Sequence, residues 1–270
     1  MCTDCHAAAP HQQDRLNSHV RTLACQTCHI PTFAVETGTK MWWDWSKAGE
    51  KGDAHEIAER LTHEIQTDPA AREGMPTRIA KLFERVGTDA DVWTHYDPKK
   101  GLFLIARKQL PEYRWYACTT KRYLPGAPLP DDEVVVINRP QGSARDPNAK
   151  IWPFKVHRGR QPFDREGGHL LTPHVFGKGG YWKTFDWDSA LRSGAEAAGL
   201  PYSGAFGWKS TEMYWPQNHM VQDKGLALGC TDCHGDSGRM DWQVLGYTGD
   251  PAFQGDRRQM DLVRDEEGDR

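Results

Sequence analysis

The chain has 270 residues and a formal net charge of −3, which as a prior means one large domain or two small ones. Leu, Ile, Val and Phe together number 45, about 17% of the chain and under the roughly 20% level at which disorder is first suspected, yet 11 Trp and 8 Tyr are present. That mixture excludes a membrane bundle, a collagen or coiled-coil fibre and a wholly disordered tail, and 34 Lys+Arg against 37 Asp+Glu leave no basic footprint for nucleic acid.

At the N-terminus Met1 is followed at once by Cys2, with no signal peptide or transit segment ahead of it. Cys2-Thr-Asp-Cys5-His6 is the first of three C-x-x-C-H motifs; Cys25-Gln-Thr-Cys28-His29 and Cys230-Thr-Asp-Cys233-His234 are the others. With 12 His in the chain, chance would put one after all three pairs about once in ten thousand. A disulfide or thioredoxin-like reading leaves each histidine without a role. A four-cysteine zinc site leaves one pair unmatched and all three His unused. Covalent haem c employs all nine residues: Cys2, Cys5, Cys25, Cys28, Cys230 and Cys233 form thioethers to three haems, and His6, His29 and His234 reach the irons as proximal ligands. Haem of this kind is attached outside the cytoplasm. The chain is therefore expected to be exported, and without a signal ahead of Cys2 it reads as part of a longer precursor.

Nine histidines remain as possible second ligands. His11 lies in the short link between the first two motifs, His19 six residues before Cys25 and His219 eleven before Cys230; these rank first as distal iron ligands. His157 and His174, among aromatics and glycines, are the next candidates, and His169 follows them. His55, His63 and His95 read as solvated.

Between the second and third motifs the pattern is mixed. Ile57, Leu61 and Ile65 predict a helix over 54–67, and Ile79, Leu82, Phe83 and Val86 one over 77–86 between Pro76 and Gly87. Leu102–Ala106 and Val134–Ile137 are short strands of a small hairpin or sheet. Cys118 reads as a buried small residue. Loops are predicted over 124–130 and 138–143 from their Pro and Gly content, a third helix from Trp187 to Ala198 between Asp186 and Gly199, and a frayed polar tail after Gly249. The expected fold class is a multihaem cytochrome c, mainly α and irregular loops packed around covalent haems with little β. Its expected parts are a two-haem attachment segment (1–35), a scaffold supplying distal ligands (36–220), and a third attachment segment with the tail (221–270). Haem would fill the inside that aliphatic residues do not, so without haem the chain is expected not to fold.

Leu23-Ala-Cys25-Gln-Thr-Cys28-His29-Ile-Pro31, Pro111-Glu-Tyr-Arg-Trp-Tyr116, Ile151-Trp-Pro-Phe-Lys-Val-His157-Arg-Gly-Arg-Gln-Pro-Phe-Asp164, Tyr181-Trp-Lys-Thr-Phe-Asp-Trp187 and Glu212-Met-Tyr-Trp-Pro-Gln-Asn-His-Met-Val221 together resemble the octahaem tetrathionate reductase family. The resemblance runs over nearly the whole chain. It implies a periplasmic electron-transfer protein whose family members reduce tetrathionate, nitrite and hydroxylamine at a substrate haem with a lysine ligand. Only three of the eight family motifs are here and no C-x-x-C-K variant is present, so the resemblance is to the C-terminal part and the substrate haem is expected in an N-terminal haem region. Implied partners are a quinol-linked or soluble cytochrome donor, that N-terminal region and a small inorganic substrate, with no nucleic acid, no membrane span and self-association left open. The alternative is a self-contained trihaem carrier without substrate chemistry.

Overall fold

In chain order the computed structural model, which describes residues 2–131 and 134–254, runs α1 (Asp14–His19), α2 (Cys25–His29), β1 (Thr39–Asp44), α3 (Ala54–Thr67), α4 (Thr77–Phe83), β2 (Val92–Asp97), β3 (Gly101–Ala106), β4 (Glu112–Tyr116), β5 (Thr120–Arg122), β6 (Val134–Pro140), β7 (Lys150–Asp164), β8 (His169–Leu170), α5 (Tyr181–Thr184), α6 (Trp187–Ala198), β9 (Phe206–Pro216) and α7 (Cys230–Cys233). The strands make one nine-stranded sheet in the order β2-β3-β1-β7-β9-β6-β5, with β4 and β8 also paired to β7. The β1–β7 and β6–β9 pairs are parallel and the rest antiparallel. This overturns the mainly helical, strand-poor fold expected from the sequence. The two apolar runs read as strands do lie in β3 and β6, but they belong to opposite halves of this large sheet rather than to a small one. The predicted loop over 138–143 begins inside β6, and the polar tail from 255 onward lies outside the described residues.

The central strand explains the error. Lys150–Asp164 carries two prolines, a glycine and four Lys/Arg, a composition that speaks against a sheet centre. Each proline keeps a working carbonyl: Pro153 O accepts from the Gln217 N–H (2.9 Å) and Pro162 O from the Leu171 N–H (2.9 Å). The glycine is required. Gly159 faces Trp43 in the parallel β1 pairing, and a Cβ there would stand 2.5 Å from the Trp43 carbonyl oxygen. Gly159→Ala is therefore expected to destabilise the fold by about 1–3 kcal/mol through overpacking, read as a lower denaturant midpoint with an unchanged slope.

The helices follow the sequence more closely. Asp53 accepts from the His55 and Glu56 N–H groups to open α3 over the predicted residues. Asp186 caps α6, and Gly199 at φ +66° ends it. α4 stops at Phe83, three residues short of the predicted end. Ile57, Leu61 and Ile65 of α3 and Ile79, Leu82 and Phe83 of α4 pack on Met41, Trp42, Val92, Tyr96, Leu102 and Leu104 to form a core that contains no C-x-x-C-H residue. A second cluster, Tyr113, Trp115, Ala149, Ile151, Cys233, Met240, Leu245 and Tyr247, joins β4 and β7 to the last C-x-x-C-H motif. Cys118, expected to be buried, is exposed on a left-handed turn (φ +61°) between β4 and β5. No helix among the described residues is long and apolar enough to cross a membrane.

Candidate haem sites

Each C-x-x-C-H motif forms one short helical turn: a 3-10 turn over Cys2–Asp4, α2, and α7. Residues three apart share a face of such a turn, so both thiols of a pair point the same way and the histidine follows. The sheet brings the second and third turns together across about 200 residues of sequence. The start of β7 holds α2 on one side: Ala24 N–H and Thr27 Oγ1 donate to Ile151 O (3.0 and 2.7 Å), and Ile151 N–H to Thr22 O (2.8 Å). The segment after β9 holds its other side, with Gln222 N–H donating to His29 O and Leu228 N–H to Cys28 O, both at 3.0 Å. Arg239, just past α7, donates to Pro31 O (2.8 Å).

Three of the motif thiols, Cys25, Cys28 and Cys233, have raised pKa values. Burial and then the neighbouring Cys25 push Cys28 up to about 11; burial and then Cys28 push Cys233 up to about 12. Cys25 is raised by burial and by the adjacent Cys2. Zinc would need thiolates, and no group of three or more His, Cys, Asp or Glu among the described residues is placed to hold a metal ion. All seven cysteines are free. The described residues therefore gather no four-donor site of the kind structural zinc takes.

Two histidines from the link between the first motifs face motif imidazoles. The His11 ring lies 6.2 Å from that of His29 with planes 11° apart, and the His19 ring 6.3 Å from that of His234 at 67°. A metal–imidazole bond of roughly 2.0–2.1 Å with roughly 1.1 Å more to each ring centre puts two axial imidazoles about 6.2 Å apart across one ion. This spacing leaves room for an intervening iron, and so fits the donor set to haem. Both pairs are prepared for it. Asn17 grips the His11 backbone, accepting from its N–H (3.0 Å) and donating to its carbonyl (2.7 Å). His19 Nδ1 donates to Arg15 O (2.8 Å) and His234 Nδ1 to Asp250 Oδ1 (2.6 Å), which leaves each Nε2 for iron. Burial and then the His11 and His6 rings lower the pKa of His29, favouring the neutral ring a metal needs.

The other candidates are elsewhere. His219 is exposed beyond the end of β9. His157 lies on β7 with Nδ1 3.1 Å from Lys40 O, its protonation disfavoured by burial first and then by Lys155 and Lys40. The His174 Nε2 is 3.3 Å from Lys178 O. His169 is buried, with no partner for Nε2. Among the described residues none of these rings stacks on His6, His29 or His234. Three side chains in contact with these histidines carried no recognisable signal in the sequence: Asn17, Asp250, which falls in the stretch read as a frayed tail, and Trp242, whose ring stacks on His234 at 5.2 Å.

Residues 40–237 match the family described as Cytochrome c bacterial. The chain belongs to this family. The cytochrome is also similar to a solved structure, octaheme cytochrome c from Shewanella oneidensis, at 38% identity with a TM-score of 0.76 over 97% of this chain and 54% of that one. It thus spans about half the length of that protein, and is related to the multihaem cytochromes c along nearly all of its own. No curated protein matches it. Membership implies covalently bound haem c in the cytochrome.

Proposed function

We propose that this cytochrome carries three haems and is the electron-transfer part of an octahaem tetrathionate reductase-like protein of the periplasm. The observation that carries this reading is the pair of imidazole gaps at 6.2 and 6.3 Å. His29 with His11, and His234 with His19, hold two irons in bis-imidazole ligation, and His6 holds a third. Bound haem supplies one-electron oxidation and reduction. The protein's own part is to fix the rings, orient the outer Nδ1–H groups of His19 and His234, and hold the second and third attachment turns near each other. Substrate chemistry on tetrathionate, nitrite or hydroxylamine belongs to a haem outside these residues, with electrons arriving from a quinol-linked or soluble cytochrome donor.

The test is spectroscopic. The matured chain should show a covalent mass excess of three haems. His11→Met and His19→Met should each keep all three attached while shifting the low-spin spectrum and potential of one haem, a different one in each variant. His219→Met should change neither. An unshifted spectrum in both His11→Met and His19→Met would overturn the ligand assignment. With a viologen donor the isolated chain should reduce none of the three substrates; reduction of any would place the substrate haem within it.

A further inference from the structure

The two imidazole pairs differ in what stands behind the motif histidine. His234 Nδ1 donates to Asp250 Oδ1 at 2.6 Å, and the same carboxylate is pinned by the Gly235 N–H on Oδ2 (2.7 Å) and the Ala252 N–H on Oδ1 (2.9 Å). Its side chain is 13% exposed. The Trp242 ring stacked on His234 closes the other side. Behind the second motif there is no such anion: among the described residues His29 has no carboxylate partner, and the Nδ1 of its facing His11 is buried without a hydrogen bond. A carboxylate accepting the outer N–H of an axial imidazole raises the basicity of the ring and favours the oxidised iron, lowering the potential.

We infer that Asp250 is a positioning residue that makes the haem on Cys230 and Cys233 lower in potential than the haem on Cys25 and Cys28. The inference rests on the bis-imidazole ligation proposed above. An electron shared by these two haems then resides mainly on the one ligated by His29, and the one ligated by His234 is the stronger reductant of the two.

The differing ring planes allow each haem to be followed separately by electron paramagnetic resonance. Planes 11° apart act on one of two iron d-orbitals and give a rhombic low-spin signal, whereas planes at 67° act on both more evenly and give a highly anisotropic one. A redox titration of the matured chain should lose the anisotropic signal at a lower potential than the rhombic one. His19→Met and His11→Met assign the two signals. Asp250→Asn should raise the potential of the anisotropic signal and leave the rhombic one in place, and Asp250→Glu should return it toward the wild-type value. Equal shifts in both signals, or none, would overturn the inference. So would the reverse order in the wild-type chain, which decides the matter even if Asp250→Asn fails to mature. If instead no haem is found on Cys230 and Cys233, or His19→Met leaves the anisotropic signal intact, the ligation itself is wrong; that outcome is separable from a wrong role for Asp250.

Discussion

Replacing Arg158 by alanine should destabilise the protein by about 3–5 kcal/mol, the range for removing one partner of a buried ion pair. Arg158 lies mid-way along β7 with its side chain only 6% exposed. Its guanidinium donates to both oxygens of Glu112 on β4 (2.6 and 3.0 Å) and to Glu212 on β9 (2.7 Å), so one cation joins three strands. Burial disfavours its charge, but the two carboxylates outweigh burial and raise its pKa. Burial likewise pushes Glu112 upward, and the bonds from Arg158 outweigh it, so the Glu112 pKa ends below the usual range. A carboxylate with a depressed folded pKa contributes stability above its unfolded value of about 4.3 and loses it as pH falls through the folded one. Urea titrations should therefore show the wild type weakening on acidification below that range. Arg158→Ala, in which Glu112 keeps only Arg78 and Arg114 as partners, should lose less. An apolar triple replacement at 112, 158 and 212 should recover much of the stability that the single replacement removes. A single variant within about 0.5 kcal/mol of wild type would show that water had reached the site.

The second large effect is the loss of haem. The aliphatic shortfall alone predicts that nothing folds without it, and the structure gives a more specific expectation. The core of α3, α4 and β1–β3 contains no motif residue, whereas the cluster around Tyr113, Trp115 and Tyr247 includes Cys233. The helices α1, α2 and α7 have 6, 5 and 4 residues, far below the roughly 12–15 at which a helix stands without tertiary support. In a chain produced without haem, or with all six motif cysteines replaced by alanine, residues 2–30 and 218–254 should exchange their amide hydrogens rapidly and be cut early by protease. β1, β3, β7 and β9 should stay protected. Uniform loss of protection would show instead that haem supports the whole fold.

What the sequence revealed depended on how local the signal was. The attachment chemistry lies in five consecutive residues, and α3 in one turn-by-turn stripe with Asp53 ahead of it, so both were legible. β7 was not, because its partners β1, β4, β8 and β9 are spread through the chain and its prolines and charges make sense only once those partners exist. Arg158 in isolation is a surface residue; between Glu112 and Glu212 it belongs inside. The distal side was legible in part. Nearness to the motifs selects His11, His19 and His219; the fold sets His11 and His19 beside motif imidazoles, while the position of His219 depends on how β9 ends. Asp250 offered nothing to read, since an aspartate sixteen residues past a histidine meets it only through the turns over 235–250.

The clamp on α2 also orders events in time. Ile151 and Leu228 hold Cys25–His29 in place from 124 and 200 residues further along the chain, contact separations that predict slow folding. Cys230 and Cys233 emerge only after every strand of the sheet. The second motif is thus locked into its cradle only once β7 and the segment after β9 have both been made.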